Sequence, residues 1–138
     1  MQIREVSLQE LDIAYNVIKE LRTELSYDEY ETLIYQMQES HYKIFAVFER
    51  DELITYAGVA ISTNLYHKRH LFIYDLVTKS THRSKGYGKE MLIYLHDYAK
   101  MFTCEYLILS SGFQRLQAHQ FYAREGFEKK SAVLVKSL

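Results

Sequence analysis

The chain has no proline, no tryptophan, one cysteine (Cys104) and five glycines in 138 residues. Without proline nothing stiff marks a linker, and neither an internal repeat nor a low-complexity stretch divides the sequence, so one continuous domain, residues 1–138, is expected. A lone cysteine excludes an internal disulfide and a thiolate metal cage, and fits a reducing, cytoplasmic setting; its ordinary role is that of a small core filler. No apolar run approaches the length of a membrane span, and Met1-Gln2-Ile3-Arg4-Glu5 lacks a hydrophobic signal core. Neither charge sign dominates, with 17 Lys and Arg against 18 Asp and Glu. There is then no broad positive field for nucleic acid and no acidic tail. Six histidines invite a metal. However, His67 and His70 flank Lys68-Arg69 in a basic turn with no further ligands beside them, so no metal is expected.

What remains is 48% hydrophobic sequence, enough to fill one core. Residues 2–6 read as a strand. Ser7 with Glu10, and Ser26 with Glu29, form capping boxes that open two helices. Leu11, Ala14, Ile18, Leu21 and Leu25 make the inward stripe of the first, and Tyr30, Leu33, Ile34 and Met37 that of the second. Tyr42 to Glu49 and Leu53 to Thr63 are rich in β-branched and aromatic residues around a hairpin turn at Arg50-Asp51-Glu52, and His70 to Thr78 is a third such strand. A glycine turn follows, then a helix to about Phe102 with Met91, Leu95, Tyr98, Ala99 and Phe102 at helical spacing. A strand at Glu105 to Ser111, a helix around Leu116 to Glu125, and a last strand from Phe127 to Lys136 complete the order.

The stretch Arg83-Ser84-Lys85-Gly86-Tyr87-Gly88 stands between a strand and a helix. Two glycines let the backbone approach a ligand closely, and unpaired amides at a helix start attract an anion. A Walker A loop fails because Glu90 follows Gly88-Lys89, and a dinucleotide fingerprint fails because Met91 stands where its third glycine belongs. An RNA-recognition strand matches Lys85 to Gly88 but needs alternating aromatics, where this chain turns helical.

The Arg-x-x-Gly-x-Gly spacing and Ala118-His119-Gln120-Phe121-Tyr122-Ala123-Arg124-Glu125-Gly126-Phe127 together resemble the GNAT superfamily of N-acetyltransferases, and the element order resembles that fold along the whole chain. The resemblance implies an α/β domain of α+β type. Its sheet is mixed and mostly antiparallel, with six to seven strands and about four helices. A parallel strand pair, Phe72 to Thr78 and Glu105 to Ser111, splays to admit the pantetheine arm. It implies acetyl-CoA as co-substrate, its pyrophosphate on Arg83, Ser84, Lys85, Gly86, Tyr87, Gly88 and Lys89. Leu76 and Val77 lend backbone contacts and an oxyanion donor, and His119 lies near the cofactor. Tyr122 takes the place of the residue facing the sulfur, where a phenol can protonate the leaving thiolate. Many members carry Asn where this chain has Arg115, which is free to reach a phosphate instead. Asp75 stands where some relatives place an acidic residue toward the amine. It is either the general base or the partner of some buried or basic group.

The expected reaction is direct attack of a primary amine, on a small molecule or a peptide, upon the thioester within a ternary complex. A regulatory module that binds coenzyme A without chemistry is the alternative, with an RNA-binding module behind it. Glu20, Glu24, Asp28, Glu29 and Glu31 lean toward a cationic, polyamine-like or lysine-like acceptor, unless they are only a solvated helix face. Membrane and nucleic acid are not expected partners, and a homodimer stays open.

Overall fold

The structure is a computed structural model that describes residues 1–138. The chain divides into two compact units, Met1–Ile108 and Leu109–Leu138. The first is built on a sheet in the order β1-β2-β3-β4-β5. Its strands are β1 (Gln2–Val6), β2 (Lys43–Glu49), β3 (Glu52–Asn64), β4 (Lys68–Thr78) and β5 (Tyr106–Leu109). The pairs from β1 to β4 are antiparallel. β5 begins beside the start of β4, where the Glu105 amide donates to the Arg69 carbonyl at 2.7 Å, and runs parallel to it.

Both faces of the sheet are covered, which is why β2 reads as an unbroken apolar run rather than an alternating one. Ile44, Ala46, Phe48 and Tyr56 pack with Leu11, Ala14, Val17 and Ile18 of α1 (Leu11–Ile18) and with Tyr30 and Ile34 of α2 (Tyr27–Met37). On the opposite face Phe45 meets Tyr94 and Tyr98 of α3 (Tyr87–Met101), ring centroids 5.3 and 5.0 Å apart. Met91, Leu95 and Ala99 of α3 are buried. Both capping boxes are present, at Ser7 with Glu10 and at Ser26 with Glu29.

Several boundaries differ from the sequence reading. The first box opens a short 3-10 turn, Leu8–Glu10, and α1 ends at Ile18. Leu21 and Leu25 therefore sit in the turns that follow, still packed on the core. Leu33 and Phe102 are exposed at 43% and 41%, while Val17 and Leu92 are buried in addition. Each helix buries the residues its packing partner selects, not every apolar residue within the stripe's width.

The second unit carries α4 (Leu116–Arg124). The helix ends in a Schellman motif: Phe127 N–H donates to Tyr122 O at 3.0 Å and Gly126 N–H to Ala123 O at 3.2 Å. Gly126 has φ 94°, the left-handed value this cap requires. The expected last strand, Phe127 to Lys136, is not formed: residues 127–138 belong to no strand. The sheet accordingly has five strands, not six to seven. Ser131 to Val135 is rich in β-formers, yet Val133, Leu134 and Val135 are 66%, 93% and 86% exposed. A strand needs a ladder partner, which local propensity does not supply.

Candidate active site

β4 leads into a short 3-10 turn, Ser80–His82, and then into the glycine turn ahead of α3. Ser84 and Gly86 both take left-handed backbone, φ 62° and 87°. Glycine is needed at position 86 for that angle and not for space, since a Cβ there would meet nothing within 4 Å. Glu90 is the first amide of α3 with a backbone acceptor, Gly86 O at 3.0 Å. The amides of Tyr87, Gly88 and Lys89 therefore face outward from the positive end of a 15-residue helix. Arg83, Ser84, Lys85, Gly86 and Lys89 are exposed, with Tyr87 and Gly88 half-buried. Open space, outward amides and three nearby cations fit a pyrophosphate.

Arg83 is already oriented: its Nε donates to Thr78 O at 3.2 Å and its Nη2 lies 3.5 Å from Glu20 Oε1. The same Glu20 oxygen accepts the Ser80 amide at 2.9 Å. His82 Nδ1 shares a hydrogen bond with Thr81 Oγ1 at 2.8 Å. Val77 is buried and Leu76 half-buried, so their side chains serve the core while their backbone lies along the strand. β5 has only four residues beside the beginning of β4, which leaves Leu76 and Val77, at the far end, to pair with β3.

A continuous hydrogen-bonded cluster in the first unit surrounds Asp75. The ladder between β3 and β4 slips here: Gly58 pairs with Asp75 and Val59 with Ile73, so Tyr74 is bulged out. Arg22, in the connection between α1 and α2, donates from Nε to Asp75 Oδ1 at 2.9 Å and from Nη2 to the Tyr74 carbonyl at 2.9 Å. Nη2 also lies 2.8 Å from Asp75 Oδ1. From the core side, Tyr42 donates its hydroxyl to Asp75 Oδ2 at 2.6 Å. A phenol has one proton, so at the 3.0 Å contact between Tyr42 and Tyr56 the donor is Tyr56, and at the 3.0 Å contact between Tyr56 and Tyr30 it is Tyr30. Three buried hydroxyls thus point one way, toward a carboxylate. Burial pushes the Tyr42 and Tyr56 phenols well above their usual range, and Tyr30 upward as well. All three remain neutral donors at ordinary pH.

Gly58 makes the cluster sterically possible: a Cβ there would fall 1.6 Å from the Tyr42 hydroxyl and 2.8 Å from Asp75 Oδ2. The sequence reading passed over Arg22, Tyr30, Tyr42, Tyr56 and Gly58 as functional residues. A glycine inside a β-rich run is a signal for a bulge or close approach, and Gly58 was the clue to follow.

In the second unit Tyr122 is buried at 9% exposure between Phe121 and Phe127, and burial raises its phenol while Arg115 counteracts. Arg115 is the exposed residue preceding α4, its amide donating to Gly112 O at 3.0 Å. His119 turns Nε2 toward the carbonyls of Gly112 at 2.8 Å and Ser111 at 3.3 Å, which ties down the segment before α4. The Ser111 hydroxyl is buried without a hydrogen-bond partner, a free polar group beside that segment. No three His, Cys, Asp or Glu side chains converge as metal ligands, and no helix is long and apolar enough to cross a membrane.

A strand, a bulge, an anion-ready glycine turn and a helix, in this topology, define an acyltransferase fold. Residues 8–127 match the model of the acetyltransferase (GNAT) family, and the chain belongs to that family. It is 37% identical over 132 residues to the uncharacterized N-acetyltransferase YhdJ of Bacillus subtilis, covering 94% of this chain and 93% of that one. It is 23% identical over 140 residues to the aminoalkylphosphonate N-acetyltransferase of Salmonella typhimurium, covering 99% and 91%. Among solved structures, an aminoglycoside N-acetyltransferase AAC(6')-Iy in complex with CoA superposes with a TM-score of 0.86 at 13% identity, covering 99% and 93%. A transcriptional regulator from Bacillus halodurans gives 0.86 at 20% identity, covering 99% of both chains. These two likenesses speak for the fold.

Proposed function

We propose that the chain transfers an acetyl group from acetyl-CoA to a primary amine by direct attack in a ternary complex. The observation that carries this is the glycine turn: left-handed backbone at Ser84 and Gly86 feeding the bare first turn of α3, in a chain of the acetyltransferase family. Arg83, Lys85 and Lys89 add charge to the amides of Ser84, Gly86, Tyr87 and Gly88 on the pyrophosphate. The backbone of Leu76 and Val77 lies along the pantetheine arm, and a strand amide there donates to the thioester oxygen as charge develops on it.

Bound acetyl-CoA supplies the activated acyl carbon. A carbon–nitrogen bond forms as the carbon–sulfur bond breaks, the amine proton passes to Asp75 directly or through water, and Tyr122 protonates the departing thiolate.

Calorimetric titration with acetyl-CoA, followed by thiol release against a panel of amines, tests the reading. Saturable one-to-one binding with amine-dependent thiol release is expected. In Tyr122→Phe turnover falls by about 100-fold or more with acetyl-CoA affinity kept. Binding without release from any amine would instead favour a non-catalytic coenzyme A module, and absence of binding would overturn the proposal.

A further inference from the structure

Taking the acetyltransferase reading as given, we infer that Arg22 and Asp75 together select an acceptor that carries an anionic group a short carbon chain away from its amine. Arg22 is the residue of this pair that sequence motifs do not mark. Its guanidinium is clamped on one edge, by Asp75 Oδ1 and by the carbonyl of bulged Tyr74. The Nη1 donors make no hydrogen bond to the protein, and the side chain is 48% exposed. A guanidinium held by a carboxylate, with its other edge open, is preorganised to take a carboxylate or phosphonate.

Asp75 supplies the opposite sign. It is 13% exposed, with two donors on Oδ1 and one on Oδ2, so Oδ2 keeps one acceptor position. An ammonium meets that oxygen while the anionic group meets Nη1, as a zwitterion requires. Tyr74, 43% exposed beside the pair, offers its ring to the carbons between the two charges.

A purely cationic acceptor fits less well. The acidic residues that favour one in the sequence are largely engaged within the protein. Glu20 holds Ser80 and Arg83, Glu29 closes the Ser26 cap, and Glu31 accepts the Tyr27 hydroxyl. A polyamine would meet Arg22 as a like charge beside the only carboxylate of the cluster.

The test is thiol release at saturating acetyl-CoA with 2-aminoethylphosphonate, β-alanine, n-propylamine and 1,3-diaminopropane. Wild type should favour one or both zwitterions in kcat/KM by about tenfold or more over the other two. The phosphonate and carboxylate arms distinguish which anion is taken. Arg22→Gln, which also removes a clamp on Asp75 and should lower the melting temperature, should lose that preference through acceptor KM, with kcat/KM falling further for the zwitterions than for n-propylamine. Arg22→Lys, which keeps the charge, should retain part of the preference. Preference for the diamine or the plain amine overturns this inference alone, as does an equal loss on every acceptor in Arg22→Gln, the mark of a purely structural pin. No release from any amine overturns the acetyl-transfer reading and this inference together.

Discussion

The glycine turn and the Asp75 cluster flank the end of β4, within the same unit, and they hold charge by opposite means. The turn is exposed, made of backbone, and poor in internal partners: its amides face solvent and two of its residues occupy left-handed backbone. The cluster is made of side chains, and its hydroxyls, carboxylate and guanidinium satisfy one another before any ligand arrives. A turn of the first kind contributes little to stability and much to binding. A cluster of the second kind is expensive to disturb, because any member removed leaves a buried polar group unpaired.

Substitutions can pull the two apart. The largest effect is expected from Gly86→Glu, whose carboxylate repels the pyrophosphate: acetyl-CoA affinity should fall by about 100-fold or more in calorimetry. Stability should fall only by the left-handed cost of about 1–2 kcal/mol, read from urea unfolding. Gly58→Ala should do the reverse. Its methyl displaces the Tyr42 hydroxyl, so unfolding should show a loss of about 2–4 kcal/mol while acetyl-CoA still binds. If Gly58→Ala weakened the cofactor as much as Gly86→Glu, the contrast between the regions would collapse.

Glu10 sharpens the comparison from the surface. Both of its oxygens face Arg4, at 3.1 and 2.9 Å, and Oε1 also accepts the Ser7 amide at 2.9 Å. The Arg4 guanidinium first, and then Ser7, hold this carboxyl down at about 2, against 4.5 for a free one. A carboxyl depressed by folding stabilises the protein above its unfolded value and loses that contribution as pH falls toward the folded one. Since the pair is partly exposed, Glu10→Gln should cost only about 1 kcal/mol at pH 7. The difference from wild type should fade between pH 4.5 and about 2, as followed by urea unfolding across that range.

The elements and the glycine turn were legible because their signals are local. A capping box spans four residues and the Arg83 to Gly88 pattern six, so the residues that cooperate are neighbours in the chain. The Schellman end of α4 at Gly126 was legible for the same reason. The Asp75 cluster was not, because its members come from a turn, a helix, the residue ahead of β2 and two strands: Arg22, Tyr30, Tyr42, Tyr56, Gly58 and Asp75. The slip in the register between β3 and β4 sets Gly58 opposite Asp75, and tertiary packing brings Arg22, Tyr30 and Tyr42 to them. The sequence marked Asp75 as a site residue but gave no hint of Arg22. The overcounted strand at the C-terminus failed for a related reason, since pairing is a property of two segments and propensity belongs to one.

The connection between α1 and α2 is fastened twice within three residues, Glu20 to Ser80 and Arg83, Arg22 to Tyr74 and Asp75. It therefore acts as a length gauge. Swapping side chains along it leaves the gauge intact, whereas inserting or deleting one residue between the two anchors would let only one of them reach its partner. Among variants of this chain the connection should tolerate changes of letter far better than changes of length.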